Sequence, residues 1–146
     1  MTLDSDFHKN YQSIHQAMVE GNYITSLKNV DTLLKNTESE VVQQFEYLVL
    51  KGTIFLYQLD HQRTMEIADY VIAESKKLNK PLYTFGAINL KCQVLQYTLA
   101  KSNEVPSLIQ EAKKILEAQS YLEQSILNKR KAFLQRLQAE ILEKQG

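Results

Sequence analysis

No tryptophan occurs in this chain, and only one cysteine, two prolines and four glycines occur among its 146 residues. A single cysteine, Cys92, excludes a disulfide within the chain, and no Cys/His spacing typical of a zinc module is found. The scarcity of proline and glycine removes the residues that most often interrupt helices. No run approaches the roughly 18 apolar residues that a membrane-spanning helix needs.

The first ten residues are polar and lack the basic start and apolar run of a secretory signal. Together with the single cysteine, this composition is typical of a soluble protein in a reducing compartment. We therefore expect a cytoplasmic protein without a membrane partner.

Basic and acidic side chains balance at 17 each, so the formal net charge is zero. This balance argues against a general polyanion binder such as a nucleic-acid protein. The two halves differ, because residues 1–73 carry 5 basic and 10 acidic side chains and residues 74–146 carry 12 basic and 7 acidic ones. The net charges of −5 and +5 predict a bipolar molecule that could associate weakly head to tail. The alternative is that the charges differ between the two halves by chance and have no function.

Apolar residues follow a 3.6-residue period through nearly the whole chain, which indicates an all-α protein. The period and its breaks predict helices over residues 5–19, 24–35, 40–58, 63–78, 82–101, 105–118 and 120–144. Short breaks within successive pairs predict three antiparallel helical hairpins, which span about residues 5–36, 40–78 and 82–118. Each hairpin exposes an apolar face that only a neighbouring hairpin can bury, so the hairpins are expected to stack as an α-solenoid. The last helix, 120–144, is expected to cap the stack.

An internal repeat lies at the centre of the chain. Residues 45–59 read FEYLVLKGTIFLYQL, and residues 85–99 read FGAINLKCQVLQYTL. The alignment pairs Lys51 with Lys91 and places Gly52 opposite Cys92, where we expect that only a small residue fits. A fixed period of about 40 residues is typical of stacked repeats rather than of an enzyme core.

The turns and the second helices of the hairpins add a further pattern. The first repeat has Gly21, Asn22 and Tyr23 at its turn, and then Ser26, Leu27, Val30 and Leu33. The second has Leu59 at the position of the turn glycine, and then Thr64, Met65, Ala68 and Val71; the third continues with Leu108, Ile109 and Ala112. In these features the chain resembles the tetratricopeptide repeat family, with degenerate repeats. It departs from the family in lacking tryptophan and in exceeding the family's period of about 34 residues. Another α-solenoid or a plain helical bundle is the alternative architecture.

The resemblance implies a concave groove that is lined by the first helix of each hairpin and receives a peptide or a partner helix. Carried over position by position, the groove residues are Tyr11, His15, Met18, Val49, Thr53, Leu56, Tyr57, Asn89, Gln93, Gln96 and Tyr97. Tyrosine rings provide contact area and amides can pair with a peptide backbone. The family's lysine and asparagine clamp for a terminal carboxylate is missing, which favours a less charged or helical ligand. Packing between hairpins is the alternative role of Tyr57 and Tyr97.

No residue pattern points to catalysis or to a cofactor. The chain has neither a Ser/His/Asp order in a suitable context nor a glycine-rich phosphate loop, and Cys92 is interpreted as a core residue. Asp4, His8 and His15 share one face of the first helix, but histidines seven residues apart lie about 10 Å apart along a helix and are too distant to share a metal ion. We therefore predict a non-enzymatic protein-interaction module without metal or cofactor.

Two other functions remain open from the sequence. A structural homo-oligomer could assemble through the stacking face or through the terminal helix, where Leu127, Leu134 and Ile141 add a second apolar stripe. An RNA-binding helical repeat could use the basic cluster Lys129, Arg130, Lys131 and Arg136, although the zero net charge and the acidic first half argue against it. A solvated helix face is the simpler interpretation of that cluster.

Overall fold

A computed structural model of the chain describes residues 5–37, 40–97 and 104–118, together with residues 132 and 135. The three ranges form the helices α1 (Ser5–Val19), α2 (Tyr23–Asn36), α3 (Val41–Tyr57), α4 (His61–Lys77), α5 (Pro81–Leu95) and α6 (Val105–Ala118). They contain no strand, which confirms the all-α prediction. The predicted helix over residues 120–144 lies outside the described residues, apart from 132 and 135. Within the described part of the chain, no helix combines the length and the apolarity needed to cross a bilayer.

Two helix boundaries differ from the prediction by more than one residue. Helix α4 begins at His61 rather than at residue 63, because Asp60 acts as its N-cap and accepts a hydrogen bond from the Arg63 backbone N–H at 3.2 Å. Helix α5 was predicted to continue to residue 101, but it ends at Leu95. The Tyr97 N–H donates to the Val94 carbonyl at 3.0 Å, which tightens the last turn. Neither glycine nor proline marks this end in the sequence, and residues 98–101 lie outside the described ranges.

The helices pack in a simple order. Each helix packs against the one that follows it in the chain, and α3 also packs against α1 and α5. No other pair of the described helices brings Cα atoms within 8 Å of each other. Helix α3 is therefore covered by four neighbours, which explains why its sequence is apolar around most of its circumference. Its buried residues are Phe45, Tyr47, Leu50, Gly52, Ile54, Phe55 and Leu56.

The connections that follow α1, α3 and α4 share one hydrogen-bond pattern. After α1, the Gly21 N–H donates to the Met18 carbonyl at 3.0 Å and the Asn22 N–H donates to the Ala17 carbonyl at 2.8 Å. These two bonds form the Schellman motif, which satisfies carbonyls at the end of a helix. The same two bonds recur in the later turns, at Leu59 and Asp60 and at Asn79 and Lys80.

The Schellman motif requires a left-handed backbone at one residue of each turn. The φ angles are 86° at Gly21, 63° at Leu59 and 55° at Asn79. Glycine and asparagine adopt this conformation readily, whereas the Cβ of leucine crowds the backbone and costs about 1 kcal/mol. Leu59 thus adopts the same left-handed geometry as Gly21, at an energetic cost.

A buried hydroxyl residue stands five positions after each left-handed residue. These residues are Ser26, Thr64 and Thr84, and each hydroxyl lies within 3.5 Å of the carbonyl four residues earlier. The Thr84 hydroxyl also lies 2.6 Å from the Ser75 hydroxyl, which joins α5 to α4. Small side chains that satisfy their own polar atoms let the helices approach closely at these three points.

Helix α3 is tightly packed against its neighbours at Gly52, near its middle. A Cβ atom at this residue would lie 2.6 Å from Leu90 Cδ2 and 3.4 Å from Ile67 Cγ2. The Thr64 hydroxyl lies 3.1 Å from the Gly52 carbonyl oxygen. This geometry confirms the prediction that Gly52 occupies a position with room for a small residue only.

Two ion pairs repeat between successive helices. Lys51 of α3 lies 2.6 Å from Asp31 of α2, and Lys91 of α5 lies 2.8 Å from Asp69 of α4. The two lysines are the pair that the internal repeat aligns, and the two aspartates are separated by nearly the same interval. Since exposed ion pairs contribute about 0–1 kcal/mol, their main effect is to favour one register between helices over others.

Replacing Leu59 by glycine is expected to stabilise the protein. Glycine relieves the strained backbone, and little packing is lost because Leu59 is 73% exposed. We expect the free energy of unfolding in urea to rise by about 0.5–1 kcal/mol. As a matched control, Gly21→Ala places a Cβ on a residue with the same turn geometry and should lower stability by about 1 kcal/mol. A Leu59→Gly protein less stable than wild type would contradict the assignment of strain to Leu59.

Replacing Gly52 by valine is expected to destabilise the protein, because the new side chain meets Leu90 and Ile67. Overpacking of this kind typically costs about 1–3 kcal/mol, which urea unfolding would measure. Gly86→Val in α5 is the control, since a Cβ at Gly86 would have no atom within 4 Å. Its stability should stay equal or rise slightly, because valine has the better helix propensity. Equal effects at the two glycines would show that propensity, not space, governs both.

Candidate functional site

The predicted groove residues lie on α1, α3 and α5 or in the turn directly after α5. Val49, Thr53 and Tyr57 follow each other at four-residue spacing on α3, so they lie along one face of that helix. The same spacing recurs in the second copy of the internal repeat, in Asn89, Gln93 and Tyr97. Because α3 packs against α5, the two rows belong to adjacent helices. We call these six side chains the α3–α5 rows.

Solvent exposure divides the predicted residues into three groups. His15, Tyr57 and Tyr97 are exposed, the two tyrosines by 49% and 61%. The half-buried residues are Tyr11, Val49, Thr53, Asn89, Gln93 and Gln96. Met18 and Leu56 are only 1% and 8% exposed. These two support the surface from below and offer a ligand almost no area.

On α1, two of the predicted residues are already in contact. The rings of Tyr11 and His15 are stacked, with centroids 6.4 Å apart and planes 13° apart. Burial raises the pKa of the Tyr11 phenol, and the carboxylate of Glu46 raises it further. At neutral pH the phenol therefore keeps its proton and can act as a hydrogen-bond donor.

Two amide side chains, one within the rows and one beside them, contain buried atoms that have no hydrogen-bond partner among the described residues. These atoms are Asn89 Oδ1 and Gln96 Nε2. A buried polar atom that stays unpaired costs about 1–3 kcal/mol, so such atoms are rare. One of the two is an acceptor and the other a donor. A peptide backbone offers both complementary groups.

One ring contact at this end of the molecule was not predicted. The imidazole of His61, the first residue of α4, stacks on Tyr97 with centroids 5.3 Å apart and planes 20° apart. His61 Nε2 is buried and has no hydrogen-bond partner within the part of the chain that the structure describes. The two residues are distant in the chain and lie at the ends of different helices, so no periodicity in the sequence could have paired them.

A cleft of about 390 Å³ between α2, α3 and α4 was not predicted either. Two acidic, two basic and three apolar side chains line it: Leu27, Asp31, Lys51, Phe55, Arg63, Glu66 and Ile67. Lys51 Nζ and Arg63 Cζ lie 6.0 Å and 5.5 Å from the centroid of the Phe55 ring. Lys51 is also paired with Asp31. The lining charges balance, so no net charge selects a ligand in this cleft.

The described residues offer little reactive chemistry. They include no group of three or more His, Cys, Asp or Glu side chains able to hold a metal ion. The Cys92 thiol is 1% exposed, and burial raises its pKa to about 12 despite a smaller opposing effect of Lys91. Since the thiolate is the reactive form of cysteine, a thiol that stays protonated is a poor nucleophile. Cys92 is packed in the core between α5 and α6.

Comparison of this chain with protein-family models, with curated proteins and with solved structures finds no match. The candidate site is therefore defined by the side chains of the α3–α5 rows and their surroundings alone.

The buried thiol predicts a loss of stability in alkali. Because the pKa of Cys92 is about 12 in the folded protein and about 9 in the reference state, the unfolded chain releases its proton first as the pH rises. The buried thiol therefore lowers the free energy of unfolding only above about pH 8.5. Between pH 9 and pH 10 the free energy of unfolding should fall by about 1 kcal/mol. Urea unfolding at pH 7, 9 and 10 measures this loss. The control is Cys92→Ala, in which this part of the pH dependence should vanish; identical pH dependence in both proteins would contradict it.

Proposed function

We propose that this protein is a tetratricopeptide-like α-solenoid of three antiparallel hairpins and acts as a non-enzymatic protein-interaction module. One observation carries the proposal. Helices α1, α3 and α5 pack on one another in sequence, whereas, among the six described helices, the backbones of α2, α4 and α6 pack only on the odd-numbered helices beside them in the chain. Stacked hairpins are expected to produce this order, with one layer of first helices and one of second helices.

The turns support the same architecture. The connections after α1 and α3 are three residues long, which favours antiparallel packing of the helices that they join. Both turns carry the same Schellman bonds and a buried hydroxyl residue at the start of the second helix. One turn geometry and one lysine–aspartate pair recur in this chain at a nearly constant interval, as is expected of repeated hairpins.

The ligand that fits the α3–α5 rows is a peptide segment or a partner helix without strong charge. None of the eleven groove residues carries a formal charge when histidine is neutral. Exposed tyrosines provide apolar contact area with few rotatable bonds, and the unpaired atoms of Asn89 and Gln96 can bond to a peptide backbone. Binding through such a surface should depend weakly on salt, in contrast to binding of a nucleic acid.

A pair of exposed tyrosines provides a matched test. Tyr57 belongs to the rows and is 49% exposed, whereas Tyr70 lies on α4 and is 52% exposed. A photoreactive phenylalanine derivative at either position replaces one exposed ring with another. In a lysate of the source organism, we expect a cross-linked partner from position 57 and none from position 70. Mass spectrometry then identifies the partner and the attached peptide.

Affinity for the identified peptide completes the test. Tyr57→Ala and Tyr97→Ala should each weaken binding by about fivefold to thirtyfold, as loss of an aromatic anchor typically does. Tyr70→Ala should change the affinity by less than about twofold. Urea unfolding of each variant separates loss of binding from loss of folding. Equal cross-linking from positions 57 and 70, or equal effects of the alanine variants, would overturn the proposed groove.

A further inference from the structure

Three exposed side chains lie where α3 and α5 end. Tyr57 is the last residue of α3, and Leu59 follows two residues later in the turn. The stack of His61 on Tyr97 brings the end of α5 to the beginning of α4. Exposure of Tyr57, Leu59 and Tyr97 is 49%, 73% and 61%. We call these three side chains the turn patch.

Leu59 is the unusual member of the patch. At the equivalent position, the other two Schellman turns have Gly21 and Asn79, which tolerate a left-handed backbone. A left-handed backbone is unfavourable for leucine, and because Leu59 is mostly exposed, its packing inside the protein offsets little of that cost. Strained residues are often found at sites of binding. A large apolar side chain held outward in a strained turn therefore points to a contact outside the chain.

The charges around the patch favour a second copy of the same surface as that contact. Asp60 and Arg63 lie beside the patch in the chain and form a pair with Nε and Oδ2 3.6 Å apart. Gln58 and Gln96, beside the patch in the chain, are uncharged. In a two-fold contact the same patch faces itself, so an apolar centre meets an apolar centre. Each Asp60 can also face Arg63 of the other copy, and no like charges need to meet.

We propose that two copies of this protein associate through the turn patch around a two-fold axis. The patch is small compared with standard interfaces, so the dimer forms weakly and reversibly. Salt separates this contact from head-to-tail association of the acidic and basic halves. High salt would weaken association between charged halves, whereas a contact between apolar centres persists. It shares Tyr57 and Tyr97 with the proposed peptide groove, but its test needs no peptide because Leu59 is not one of the groove residues.

Leu59→Gly gives the sharpest test, because it should improve folding and impair association. Light scattering and sedimentation velocity would follow wild type, Leu59→Gly and the control Tyr70→Ala over about two orders of magnitude in concentration, at low and high salt. We expect the average mass of wild type and Tyr70→Ala to rise from 16.9 kDa toward twice that value in both salts. Leu59→Gly should associate at least about tenfold more weakly while unfolding at the same or higher urea concentration.

Three outcomes would overturn the proposal. Wild type could remain monomeric at every concentration, its association could disappear at high salt, or Leu59→Gly could associate as strongly as wild type. If Leu59→Gly folds less stably than wild type, Leu59→Asn provides the second test. Asparagine tolerates the same backbone conformation, as at Asn79, and presents a polar side chain. It should also be monomeric, and dimerisation equal to that of wild type would overturn the proposal.

Discussion

The close approach of helices at Gly52 is the constraint on which the rest of the structure depends. Here a Cβ on α3 would lie 2.6 Å from Leu90 Cδ2 of α5 and 3.4 Å from Ile67 Cγ2 of α4, so the Leu90 side chain would have to shift; the Thr64 hydroxyl lies 3.1 Å from the Gly52 carbonyl oxygen. This tight packing places α3 at the centre of the described helices, where it contacts α1, α2, α4 and α5. This contact brings α3, which carries one of the two rows, against α5, which carries most of the other.

The backbone geometry of the turns determines how successive helices are placed. One backbone geometry, a left-handed residue with two Schellman bonds, reverses the chain after α1, α3 and α4. A buried serine or threonine then lets the next helix begin close to its neighbour without leaving a polar atom unpaired. The geometry is more regular than the sequence, since glycine, leucine and asparagine occupy the same conformation. Leu59 shows that the surrounding structure can impose a backbone that its residue disfavours.

The proposed recognition function rests on the side chains that this framework presents. The one cysteine is protonated and enclosed, while aromatic and amide groups line the adjacent faces of α3 and α5. Such groups bind by area and by hydrogen bonds to backbone, with little contribution from charge. The cleft beside Phe55 differs from the rows because four charged side chains line it. Their charges balance, and the lysine among them is paired with Asp31.

The sequence alone determined the helical class, most helix boundaries, the internal repeat and the need for a small residue at Gly52. These features depend on periodicity and on equivalence between repeats, which are visible along the chain. Tertiary structure decided that Met18 and Leu56 are buried beneath the predicted surface, that α5 ends at Leu95 and that His61 stacks on Tyr97. It also decided that Leu59 adopts a left-handed backbone and that charged side chains enclose a cleft. The physical reason is the same in each case: burial, ring contacts and strain depend on which distant residues meet, and no local pattern in the chain records that meeting.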